Sequence, residues 1–193
     1  MTDDADLVAR AREGDHAAFG ELVDRHSAAA YRMARAALGS PQDAEDAAQD
    51  AFVLAYQKLG AFRGDASFKT WLLTIVWRQA INRRRAAGGL WRRFIARRTS
   101  DEFEDVMEGM AAREPTPEEL TAHNALRGEI RQAIRALSPK LRDALLLSQT
   151  GEYNYEEIGG LLKIPTGTVK WRISEARRIV RARLHDRGYT NVR

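Results

Sequence analysis

Lys170, Trp171, Ser174, Glu175, Arg177 and Arg178 crowd into one short stretch near the C-terminus, and their types suit contact with nucleic acid. Arginine and lysine donate to phosphate oxygens and guanine acceptors, glutamate accepts from a cytosine amino group, and an apolar ring can press on a thymine methyl. That chemistry requires them to share the outward side of one helix. The spacing supplies it: Val169, Ile173, Ala176 and Val180 form one apolar face, which leaves Trp171, Ser174, Glu175 and Arg178 opposite and Lys170 and Arg177 on a flank.

The elements around this face are equally readable. Asn154 can cap a short helix, with Glu157 three residues later to close a capping box and Ile158, Leu161 and Leu162 as its apolar stripe. Lys163-Ile-Pro165 stops that helix, and Thr166-Gly-Thr168 offers a cap for the next. Two short helices joined by a tight turn predict a helix-turn-helix, whose second helix can lie in a DNA major groove. An ordinary helical hairpin with a solvated polar face shares the periodicity. The turn, the caps and the basic run to Arg183 favour DNA binding over it.

Charge is unevenly spread along the 193 residues, although the net value is only +4. Residues 1–62 lean acidic, while Arg63 to Arg98 hold ten cations against the single anion Asp65. Thr99 to Glu119 carry eight acids against Arg113 alone, and Leu120 onward holds fourteen cations against seven anions. Two basic blocks separated by an acidic one predict two nucleic-acid contacts with a linker between.

Several function classes are disfavoured. The chain has no cysteine, which removes disulfides, thiol nucleophiles and the usual structural zinc ligands, and is compatible with a reducing cytoplasm. His16, His26, His123 and His185 show no metal spacing and are expected at the surface; no phosphate-binding glycine loop or nucleophile motif occurs. Glu156-Glu157 are read as helix N-terminal charges. The expectation is a protein that is not an enzyme and needs no cofactor or metal. Met1-Thr-Asp-Asp-Ala-Asp lacks the features of a signal peptide and no apolar run reaches the length of a membrane span, so a cytoplasmic protein without membrane insertion is expected. Leu90, Trp91, Phe94 and Ile95, interleaved with Arg92, Arg93, Arg97 and Arg98, could touch a membrane surface, but the piece is short and has no second anchor.

The pattern is all-α throughout, in two small helical domains: 1–87, a linker 88–116, and 117–193 with the helix-turn-helix. Helices are expected over Ala17–Leu38, Pro41–Leu59 and Ser67–Arg85, the last with Phe68, Trp71, Leu72 and Ile75 inward and Leu73, Trp77 and Arg84 outward. Gly88-Gly89 is expected to interrupt it. On the second helix Asp46, Gln49 and Asp50 fall at i, i+3 and i+4, hence on one exposed patch. Beyond the acidic segment, Thr116, Pro117 and Glu119 open a helix with Leu120, Ile130, Ile134 and Leu137, and Ser138-Pro139 opens another with Leu141, Leu145 and Leu146.

Phe62-Arg-Gly-Asp-Ala-Ser-Phe-Lys-Thr-Trp-Leu72, the Asp46/Gln49/Asp50 helix, Leu137-Ser-Pro-Lys-Leu-Arg142 and Pro165-Thr-Gly-Thr-Val169 together resemble the extracytoplasmic-function class of bacterial sigma factors, over roughly residues 15–185. The resemblance implies a two-domain helical protein that binds core RNA polymerase and directs it to promoters. The N-terminal domain would recognise and help melt the −10 element, and the C-terminal domain would read the −35 element. Asp46, Gln49 and Asp50 match the patch for the β′ coiled coil of polymerase. Phe62 and Ile75 match positions lining a pocket for a flipped base, with Arg78, Asn82, Arg83, Arg84 and Arg85 on the melting helix. Arg78 stands where the family often has Asn, and Arg offers only donors. Trp171 and Glu175 replace a small or polar residue and a cation, respectively. An anti-sigma partner is a further implication of the resemblance. The alternative is a stand-alone helix-turn-helix repressor or activator, which would need neither the polymerase patch nor the melting pocket.

Overall fold

The computed structural model describes residues 3–94 and 117–189, with side chains described over 3–86 and 124–189. Every regular element among these residues is helical: α1 (Asp4–Arg12), α2 (His16–Leu38), α3 (Pro41–Gln57), a 3-10 turn (Leu59–Ala61), α4 (Phe68–Phe94), α5 (Pro117–Arg135), α6 (Pro139–Gln149), α7 (Tyr155–Leu162) and α8 (Thr166–Asp186). The all-α expectation holds. The chain forms two compact units, Met1–Val106 and Met107–Arg193.

In the first unit, local chemistry sets the helix ends. Asp15 caps α2 by accepting from the Ala18 N–H at 3.0 Å, and it also pairs with Arg10 at 2.7 Å. These two contacts, the backbone N–H first, hold its carboxyl below the usual carboxylate range. Gly39, at φ 80°, ends α2 in the left-handed conformation glycine adopts freely. Ser40 caps α3 from just before Pro41, accepting from the Asp43 N–H at 3.3 Å. The buried face of α3 is nearly all alanine, Ala44, Ala47, Ala48, Ala51 and Ala55 with Phe52. Such small side chains let it lie close against α2 and α4.

Helix α4 departs from its expected faces. Leu73 and Trp77 are buried, at 0% and 3% exposure, and Trp71 is half-buried. The cause is that α4 packs against both α2 and α3, so its apolar side is wider than one stripe. Its backbone also runs through Gly88-Gly89 to Phe94, where an interruption was expected. Each interior glycine costs only about 1 kcal/mol relative to alanine, which flanking helix formers can outweigh. The start of the expected linker is therefore helical. The side chains of Leu90, Trp91, Phe94, Arg92 and Arg93, and all of Ile95, Arg97 and Arg98, lie outside the described residues.

Helix α1 was not foreseen. Leu7, Val8 and Ala11 are its buried side, and acids in its first turn and arginines in its last suit the helix dipole. Asp4 fixes it to α2, pairing with Arg25 at 2.6 Å and His26 at 2.8 Å. His26 is 6% exposed, which corrects its expected surface position. His16 and His185 are exposed as expected, and the side chain of His123 is outside the described residues.

The second unit is built on Leu137, Leu145 and Ala176, with Ile134, Leu141, Ile179 and Val180 packed around them. The capping box of α7 forms as expected: Asn154 accepts from the Glu156 and Glu157 N–H groups, each at 2.9 Å, and the Asn154 N–H donates to Glu157 at 2.9 Å. Lys163 then turns the chain at φ 55°, a left-handed conformation more usual for glycine. The turn is so close that a Cβ on Gly159 would lie 2.8 Å from the Ile164 carbonyl oxygen. The expected Thr166–Thr168 cap is not made: Thr166 is already helical, and Pro165 stands at the cap without a side-chain bond.

Candidate functional site

Three groups of the residues singled out above come together in space, two in the first unit and one in the second. On α3, Asp46, Gln49 and Asp50 are all exposed. Arg83 of α4 reaches across to them, bonding to Asp50 and lying 3.8 Å from Asp46. Val53 continues this stripe one turn on and is 58% exposed, large for an apolar side chain. The acidic patch thus has an apolar neighbour and one internal cation.

The second group surrounds the turn after the 3-10 segment. Phe62 is half-buried between Phe68 and Trp71, with ring centroids 6.0 Å and 5.1 Å away. Ile75 is 7% exposed and belongs to the core. Arg78 and Asn82 are exposed on α4. The three consecutive arginines diverge: Arg83 goes to the acidic patch, Arg84 reaches the Ala37 carbonyl at 3.4 Å, and Arg85 is exposed. The five residues from Arg63 to Ser67 all face solvent.

In the second unit the faces of α8 fall where expected except at Glu175, which is half-buried and not fully outward. Val169, Ile173 and Ala176 are buried, Val180 is half-buried, and Trp171, Ser174, Lys170, Arg177 and Arg178 are exposed. Trp171 is the most open of them, at 62%. A groove of about 480 Å³ is lined by Tyr155, Lys170, Ser174, Arg177, Arg178 and Arg181. Arg181 continues the Arg177 row by one turn and was open to inference from spacing. Tyr155 comes from α7, so no helical period could have placed it there.

Glu175 is not an open acceptor. Both its oxygens are taken by the Arg178 guanidinium, at 2.8 Å and 2.7 Å. The Arg178 bonds hold the Glu175 carboxyl below its ordinary range and raise the guanidinium in turn. Such a fork presents one oriented donor edge outward and largely cancels the local charge.

Among the described residues no cluster of His, Cys, Asp and Glu could hold a metal ion, and no helix is long and apolar enough to cross a membrane. Residues 22–90 match the model of Sigma-70 region 2, and residues 127–180 match Sigma-70, region 4. The chain is 34% identical to the RNA polymerase sigma-H factor of Pseudomonas aeruginosa over 92% of this chain and 91% of that protein. It is 32% identical to the ECF RNA polymerase sigma factor SigW of Bacillus subtilis, over 93% and 95%. It is 35% identical to the ECF RNA polymerase sigma-E factor of Escherichia coli, over 90% of each. Among solved structures, CnrH in complex with the cytosolic domain of CnrY has the same fold, with a TM-score of 0.65 and 24% identity over 95% of this chain and 97% of that one. So does the sigma factor RpoE in complex with the anti-sigma factor NepR from Bartonella quintana, with a TM-score of 0.61 and 22% identity over 86% and 96%. With two sigma-70 regions in order and relatives matched along nearly their whole length, the chain belongs to the extracytoplasmic-function class of bacterial sigma factors, which direct RNA polymerase to initiate transcription at specific promoters.

Proposed function

We propose that the two units divide this task between an acidic docking face and a basic reading face. Asp46, Gln49 and Asp50 dock on the β′ coiled coil of core RNA polymerase, where fixed cations replace Arg83 as their partners. The Phe62 turn, with Ile75 behind it and Arg78 and Asn82 beside it, receives an unstacked base of the −10 element. Arg85 follows the DNA backbone, and Arg83 joins it once polymerase has taken the acidic patch. Arg84 holds the end of α2. In the second unit Lys170, Trp171, Ser174, Arg177 and Arg178 face the −35 element, and Glu175 acts by orienting Arg178. The observation that carries this reading is the pair of exposed faces of opposite character, acidic on α3 and basic on α8.

The protein works in the cytoplasm as a regulator of transcription and not as a catalyst. An anti-sigma protein holds it inactive by covering the same faces; the Bartonella sigma factor, which shares its fold, was solved in complex with the anti-sigma factor NepR. Gel shifts and transcription from a mapped dependent promoter, each with and without core polymerase, test the division. Promoter-specific binding and transcript should both require core. Specific binding by the protein alone, undiminished by Asp50→Arg, would establish the stand-alone regulator instead.

A further inference from the structure

We infer that Arg12 of α1 is a positioning residue for promoter melting, acting through the Phe62 turn without touching DNA. This rests on the proposal that the turn meets the −10 strand. Arg12 is an exposed side chain at the end of a helix, where simple solvation would be the default. Instead its Nε donates to the Leu59 carbonyl at 3.1 Å, and another guanidinium nitrogen donates to the Phe62 carbonyl. The guanidinium carbon also lies 5.8 Å from the centre of the Phe62 ring. One planar group therefore grips the backbone at two points, three residues apart, and faces the ring of the second.

The place of this grip gives it its role. Phe62 is the last half-buried residue before five consecutive exposed ones, and Gly64 among them sits at φ 80°. Across the turn, Phe68 and Trp71 pack against the same ring, with centroids 6.0 Å and 5.1 Å away. Phe62 is thus fixed between two helices, α4 through aromatic packing and α1 through Arg12. Helix α1 is itself anchored at its far end by Asp4 to Arg25 and His26. It acts as a strut from α2 to the turn. A guanidinium is suited to this because its fork keeps both bonds in one plane while facing a ring, and an ammonium cannot reproduce that geometry.

The experiment uses the full chain with core polymerase and a promoter bearing a fixed −35 element. Arg12→Ala, Arg12→Lys, Phe62→Ala and Arg10→Ala are compared in thermal midpoint, core affinity, rate of promoter opening and base preference over a randomised −10 element. Arg10 sits on the same helix but bonds to Asp15 and not to the turn, so its variant reports loss of stability alone. Arg12→Ala should keep core affinity, slow opening roughly tenfold, as misplacement of a working group does, and flatten base preference. Arg12→Lys should recover part of the rate. A change of rate matched by Arg10→Ala at equal loss of midpoint, with preference intact, would overturn the inference. If Phe62→Ala is defective and Arg12→Ala is not, the inference alone fails. If Phe62→Ala opens promoters with the parent's rate and preference, the turn is not at the −10 element and the underlying reading fails as well.

Discussion

Both units are rich in arginine, yet they dispose of it differently. At the end of α4, Arg83 is drawn to Asp46 and Asp50 and Arg84 to the Ala37 carbonyl, so two of three consecutive cations are turned inward onto the protein. On α8, Lys170, Arg177 and Arg181 line an open groove, and Arg178 is paired within its own helix, with Glu175. The lesson is that basic composition and displayed positive charge are separate quantities. If polymerase takes the acidic patch as proposed, the first unit releases its charge on meeting that partner. The second presents it from the outset.

The largest expected effect comes from destroying the inward commitment of the first unit. Asp50→Arg should weaken core binding by about 2–5 kcal/mol, because it opposes polymerase cations in a desolvated contact and also repels Arg83. Titration of labelled core with the variant measures it, and an unchanged affinity would show that the acidic patch faces something else. Folding should change little, since Asp50 is 57% exposed.

Next in size is the outward face of α8. Glu175→Arg should shift preference toward guanine by roughly 1–3 kcal/mol per base pair, because it frees Arg178 and adds a second fork. Affinity for unrelated duplexes should rise as well. A selection over randomised −35 elements with polymerase bound separates the two changes. Equal gain on every sequence would mean that neither position 175 nor position 178 contacts bases.

A smaller contrast lies within the arginine triplet. Removing Arg85 should lower the slope of log affinity against log salt by about one, as loss of a phosphate contact does. Measured on −10 duplex without core, Arg83→Ala should leave that slope unchanged while altering core affinity. Equal slopes for both variants would erase the distinction between committed and displayed charge.

The smallest effect concerns pH. Because Glu175 is depressed by Arg178, the pair persists above the ordinary glutamate range and is lost only as pH falls through the lowered value. Base preference at the −35 element should therefore be flat from about pH 6 to 8, a range in which an unpaired glutamate is also ionised. A change of preference across that range would point to a different titrating group.

The helix-turn-helix was legible because its signals are local. Asn154 and Glu157 are three residues apart, and Val169, Ile173 and Ala176 repeat at helical spacing. The α4 faces were misread at Leu73 and Trp77 because a helix clasped by two neighbours buries two adjoining stripes, which in sequence look like opposite sides. The ties that give the first unit its character span long separations: Arg83 to Asp50 over 33 residues, Arg12 to Leu59 over 47. No periodicity reports such pairs. Helix α1 did leave local traces, in Asp4 and Asp6 before Leu7-Val8 and Arg10 and Arg12 after them, but nine residues are too few for a period to stand out.

If the outward side of α8 reads the −35 element as proposed, its separation from the buried side carries a consequence for anyone wishing to retarget this protein. Val169, Ile173 and Ala176 hold the helix in place, so the outward positions form a cassette that can be recoded without redesigning the scaffold. One grammatical rule comes with it. Glu175 and Arg178 share two bonds and must be spelled as a single letter: a library that varies either alone samples a guanidinium that has lost its orientation or a carboxylate left beside phosphate. New specificities should be found more often where the two positions change together.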